Sequence, residues 1–157
     1  MSEADLENLK NISSYFRKLN GKIILLGLLR TAKLEYEQNN YPKCLETCKE
    51  ILEKNPNNFV ALRGLGCVMQ SMGNDVEALK YYKQALKTSQ NKEIEYTLIG
   101  TIYYNQNNFD EAVKYYNLAI DVNDNYEQAY DGRNQSILER HVQIIDLQDS
   151  LIKTGIF

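Results

Sequence analysis

Cys44 and Cys48 stand four residues apart, so on a helix their thiols lie side by side, one turn from each other. Two thiolates at that spacing would begin a zinc site, but structural zinc takes four ligands. The other candidates are Cys67 and the sole histidine, His141, far along the chain. Burial as packing thiols is the expected role, because free cysteine behaves as a small hydrophobe. His141 falls on an apolar stripe near Gln148 and is read as a partly buried packing residue; pH-sensitive docking is its alternative role. Leu62-Arg63-Gly64-Leu65-Gly66 matches a fragment of a phosphate-binding loop and no more. Nothing supports a catalytic Cys-His pair. The chain is not expected to be an enzyme, and no metal or cofactor is expected.

The elements that carry these residues recur. Ala32, Gly66 and Gly100 are 34 residues apart, as are Cys44, Ala78 and Ala112. Cys48, Tyr82 and Tyr116 keep the step, and so do Tyr41, Asp75 and Phe109, and Ile51, Ala85 and Ala119. Such a period marks a solenoid whose units bury their apolar faces against their neighbours. Cys44 and Cys48 therefore occupy slots that Ala78 and Tyr82 fill in the next unit. The small residue of each first helix is expected to face the small residue of the second (Ala32 to Cys44, Gly66 to Ala78, Gly100 to Ala112). Large side chains at either place would hold the helices apart.

This pattern resembles the tetratricopeptide repeat. Leu65-Gly66, Ala78, Tyr82 and Ala85 carry the resemblance in one unit, and Ile99-Gly100, Tyr103, Ala112, Tyr116 and Ala119 in the next. It implies an all-α, right-handed solenoid of antiparallel helix pairs and a non-enzymatic protein-binding role. The division expected is an N-terminal helix and turn over 1–24, repeats over 25–58, 59–92 and 93–126, and a closing helix over 127–157. Ser2 with Asp5 resembles a capping box. Leu6, Leu9, Ile12, Phe16 and Leu19 share one face, and Asn20-Gly21 is expected to stop that helix. Pro42 suits a first helical turn. Gly73-Asn74 and Asn107-Asn108 are read as turns, with Asp75 as an N-cap. From Tyr130 to Lys153 no turn signal occurs, and Leu138, Val142, Ile145 and Ile152 form one stripe.

Bulk properties narrow the partners. A formal charge of −3 lacks the basic footprint of a nucleic-acid binder. The apolar run 23–29 is far shorter than the roughly 20 residues of a membrane span. Glu3, Asp5 and Glu7 stand where a signal peptide would be basic, and three cysteines make no disulfide framework. A cytoplasmic protein is expected. The excess of asparagine reads as genome bias as much as chemistry.

The resemblance places a concave groove on the first helix of each unit. Its expected binding residues here are Arg30, Lys33, Tyr36, Arg63, Cys67, Gln70, Thr97, Thr101, Tyr104, Asn105 and Asp131. The groove then starts basic (Arg30, Lys33, Arg63) and ends acidic. Covering of Leu26 and Leu29 by the N-terminal helix is the alternative. Co-chaperone members grip a C-terminal carboxylate with lysine, asparagine and arginine side chains. The matching places hold Leu29, Lys33, Gly64, Ile94 and Leu98, so a chaperone tail is not the expected ligand. An apolar or amphipathic segment fits better. Leu65-Gly66-Cys67 with Gln70-Ser71-Met72-Gly73 is similar to class II type III secretion chaperones, which makes that role the first alternative. Self-association through Phe16, Val142, Ile145 and Ile152, giving a homo-oligomer, is the second.

Overall fold

Turn chemistry divides the chain into helix pairs. The computed structural model describes residues 3–154; the Ser2 end of the expected capping box lies outside them. Within them run α1 (Glu3–Glu37), α2 (Tyr41–Lys54), α3 (Phe59–Ser71), α4 (Asp75–Ala85), α5 (Lys92–Asn105), α6 (Phe109–Val122) and α7 (Glu127–Lys153). Asn39, Gly73 and Asn107 have φ of 57°, 78° and 58°. They sit at the same 34-residue step, between the paired helices. Asparagine and glycine are the residues that take this left-handed conformation at least cost. Asparagine also caps: the Asn58, Asn74 and Asn108 side chains accept from the backbone N–H of Ala61, Glu77 and Glu111 at 3.0, 3.3 and 3.4 Å. Asn74 thus takes the N-cap role expected of Asp75, which is the first residue of α4. The abundance of asparagine is chemistry at these five positions.

One expected boundary is absent. α1 runs unbroken through Asn20-Gly21 into the first helix of the first pair, so 1–24 does not hold a separate helix and turn. Asn-Gly permits a left-handed stop without enforcing one. Here no proline follows closely, and Leu19, Lys22 and the leucines beyond favour helix. An interior glycine costs only about 1 kcal/mol, which the continued hydrogen-bond ladder tolerates. Residues 3–24 consequently form an arm, exposed along its length. α7 is the mirror case, packed on α6 at its start and exposed from His141 onward.

In the second and third units the nearest neighbour of the small residue in the first helix is a ring. A Cβ on Gly66 would lie 2.4 Å from the Tyr82 ring. One on Gly100 would lie 3.0 Å from the Tyr116 ring, and one on Gly132 2.4 Å from it. The rings of Tyr82 and Tyr116, both buried, press on the neighbouring backbones and favour glycine there, most sharply at Gly66 and Gly132. In the first unit the ring is replaced by Cys48, and Ala32 is accommodated, with the Cys44 thiol donating to Ala32 O at 3.3 Å.

Gly66→Ala is expected to lower stability by about 1–3 kcal/mol through overpacking. Gly21→Ala, where a Cβ meets nothing within 4 Å, should instead add helicity, by about 1 kcal/mol of helix propensity. Urea unfolding and far-ultraviolet circular dichroism of the two variants check this. Equal stability of Gly66→Ala and the parent would remove the tyrosine–glycine contact as a constraint.

Candidate functional site

The Cys48-for-tyrosine exchange leaves a void. Between α1, α2 and α3 lies a cavity of about 500 Å³, lined by Leu29, Ala32, Cys44, Cys48, Val60 and Cys67 and by Gly64, with Tyr36 and Arg63 at its wall. Its rim carries Arg30 and Lys33. The floor is apolar because it consists of core-facing residues normally hidden under a ring. Gly64 keeps it open: a Cβ there would lie 3.0 Å from Cys48 Sγ. Of the residues expected to bind, the structure brings Arg30, Lys33, Tyr36, Arg63 and Cys67 together around this one cavity.

Arg63 is not a free groove cation. Its Nε donates to Glu95 Oε1 at 2.7 Å, and its Nη2 lies 2.6 Å from the same oxygen. The other oxygen, Oε2, accepts from Ser89 Oγ at 2.8 Å. Glu95 is fully buried and the Arg63 side chain is 21% exposed, so the pair spans α3 and α5 as a structural tie. The basic start of the groove is therefore Arg30 and Lys33 alone. Lys33 has only a 3.7 Å contact with Glu37, both well exposed. Glu95 is not among the expected residues, although the register marks it. Its slot holds Ala61 one unit earlier and Ala129 one unit later, both buried, and a carboxylate in such a slot must find a partner.

The remaining expected residues lie elsewhere. Gln70 Oε1 accepts from Tyr82 OH at 2.9 Å, and Cys67 Sγ accepts from the same hydroxyl at 3.4 Å. Thr101 donates to Thr97 O at 2.9 Å and sits 3.2 Å from Tyr116 OH. The Tyr104 ring packs on Phe109 with centroids 5.6 Å apart. Asn105 and Asp131 are exposed. Apart from Cys67, none of these lines the cavity. Leu26 is exposed and Leu29 opens onto the cavity, so the arm covers neither. His141 is exposed as well, its Nδ1 2.7 Å from Ile137 O, and is not the partly buried packing residue expected.

Burial governs the thiols. It pushes Cys48 up from 9.0 to about 12, reinforced by Cys44 beside it. Cys44 is also raised by burial, and so is Cys67, against a hydrogen bond from Tyr82. An activated cysteine nucleophile needs the opposite shift. These thiols act as apolar lining.

Residues 28–131 match the family model described as the TT21 fifth ARM repeats domain, well over half of the chain. The chain belongs to this family. Its helix pairs have the tetratricopeptide-like fold, as solved structures agree. The first tetratricopeptide domain of Spaghetti (RPAP3), bound to the HSP90 peptide SRMEEVD, matches with a TM-score of 0.65 at 15% identity, over 73% of this chain and 90% of that one. The Yersinia enterocolitica type III secretion chaperone SycD, in complex with a peptide of the translocator YopD, gives 0.66 at 15% identity over 74% and 94%. An O-GlcNAc transferase from Thermobaculum terrenum gives 0.66 at 18% identity over 72% of this chain, which spans only 22% of that protein. At such identities the likeness concerns the fold. No curated protein sequence matches the chain. No helix among the described residues is long and apolar enough to cross a membrane.

Glu95→Ala leaves a largely buried guanidinium unpaired and is expected to cost about 3–5 kcal/mol, read by urea unfolding. A loss below about 1 kcal/mol, the range of an exposed pair, would make the tie dispensable. The raised Cys48 thiol sets a pH dependence. The fold holds the neutral form, so its stability is full below pH 9 and declines as pH rises from 9.0 towards about 12. Urea midpoints between about pH 8 and 11 should fall, with a shallower slope in Cys48→Val.

Proposed function

We propose that this member of the TT21 ARM-repeat family is a non-enzymatic peptide-binding module. Its concave face takes an extended or helical protein segment carrying a bulky apolar side chain flanked by acidic residues. The observation that carries the reading is the cavity of about 500 Å³ with an apolar floor and Arg30 and Lys33 on its rim. A large aliphatic or aromatic side chain desolvated there would act as a hot spot, while the two cations would select for acidic neighbours and speed association. Tyr36, half-buried at the wall with its hydroxyl 3.1 Å from Ser71 Oγ, adds an amphipathic contact. Thr97, Thr101, Tyr104, Asn105 and Asp131 continue the same face as a polar surface for the rest of the segment.

The ligand differs from the HSP90 peptide in the RPAP3 complex. Leu29, Gly64, Ile94 and Leu98 hold the places where a carboxylate grip needs polar side chains, and Lys33 is the lone cation among them. The apolar cavity at the first two units supports a second reading, a chaperone for an exported protein, in keeping with the SycD complex. Either role needs no cofactor, and the net charge of −3 argues against nucleic acid as the partner. The protein is proposed to work in the cytoplasm.

Selection from a random peptide library tests the binding reading. Selected peptides should share an apolar residue beside acidic ones. Binding should fall at least tenfold in Cys48→Leu, which fills the cavity, and in Arg30→Glu/Lys33→Glu, which reverses the rim. Undiminished binding by both variants would sink the proposal.

A further inference from the structure

The exposed arm of α1 carries a second apolar surface, unrelated to the core. Leu9, Ile12, Phe16, Leu19, Ile23 and Leu26 alternate at spacings of three and four without a break, the heptad pattern of a coiled coil. All six are 39–66% exposed. At about 100° per residue, they fall on the opposite side of α1 from Leu25, Leu28 and Ala32, which pack into the first helix pair. The stripe therefore cannot serve a further unit stacked on the solenoid. Its strict period of about 3.5 calls for another helix alongside. The arm spans 3–24, about 33 Å at 1.5 Å per residue, and helices in proteins draw most of their stability from packing an apolar face.

Charge selects the partner. Every acidic residue of the arm lies in its first turns, at Glu3, Asp5 and Glu7. Beyond them come only cations, Lys10, Arg17, Lys18, Lys22, Arg30 and Lys33, until Glu35. Two such helices repel when parallel and attract when antiparallel. We infer that the arm pairs antiparallel with the arm of a second copy of this chain. The register that buries all six stripe residues sets Leu9 against Leu26, Ile12 against Ile23 and Phe16 against Leu19, each pair occurring twice. It carries the acidic first turns of each copy towards Arg30 and Lys33 of the other. The two solenoid bodies then sit at opposite ends of the paired arms, clear of each other. The stripe of α7 is the weaker surface, because Asp149 interrupts it between Ile145 and Ile152. The inference shares Arg30 and Lys33 with the peptide-binding reading, but Phe16 lies on the arm and Cys48 in the cavity, so variants of these two residues report separately.

Light scattering on the full chain should give twice the 18.2 kDa monomer mass. Phe16→Asp and Ile23→Asp should return it to one copy while the thermal transition of the repeats persists, and Ile145→Asp should leave the pair intact. In oxidising buffer, a mixture of the Leu9→Cys and Leu26→Cys variants should form a mixed disulfide dimer that neither forms alone. A monomer at all concentrations, a pair lost only with Ile145→Asp, or a Leu9→Cys homodimer disulfide would each overturn the inference. The last would show parallel arms.

Discussion

The crossing of a tyrosine ring over a glycine backbone is the contact on which the solenoid depends. Tyr82 reaches across Gly66, and Tyr116 lies between Gly100 and Gly132. Each ring closes its own helix pair, and Tyr116 joins its pair to α7 as well. At Gly66 and Gly132 the ring leaves room only for hydrogen in place of a methyl group, because packed interiors leave no slack of that size, and at Gly100 a methyl group would press on it. The first unit departs from the rule on both sides at once, with Cys48 for the ring and Ala32 for the glycine. That paired departure opens the cavity. The candidate site is thus a place where the repeat is underfilled, and its thiols follow from volume rather than reactivity.

Electrostatics sorts the charged residues into structural and available ones. Arg63 and Glu95 neutralise each other where water is scarce, with Ser89 satisfying the second carboxylate oxygen. Such a pair contributes little net stability relative to apolar residues, yet it is costly to break, so it pins α5 to α3 in one arrangement. Arg30 and Lys33 remain in solvent at the cavity mouth, where long-range attraction acts without that desolvation cost. The same two cations close the basic stretch of α1, so the polarity of the first helix and the charge of the groove are one feature of the chain.

The 34-residue step, read with elementary turn chemistry, foretold the helix pairs. Gly73-Asn74 and Asn107-Asn108 turn where expected, Pro42 enters α2, and the absence of a turn signal after Tyr130 foreshadows α7. Three local signals are outweighed by what surrounds them. Asn20-Gly21 permits a stop, but the helix-favouring residues on either side carry α1 through it. Arg63 looked available because its partner lies 32 residues away, on another unit. His141 lies on an apolar stripe, but that stretch of α7 is exposed.

The amino-acid sequence alone determined the class of fold, the period of the units and the positions of their turns, because these rest on local conformational preference and on apolar spacing along one helix. Tertiary structure alone decided which small residue faces which ring, that Glu95 takes Arg63, and that the missing ring at Cys48 becomes a cavity with Arg30 and Lys33 at its mouth. Those outcomes depend on volumes and charges contributed by different units, and distance along the chain does not encode them.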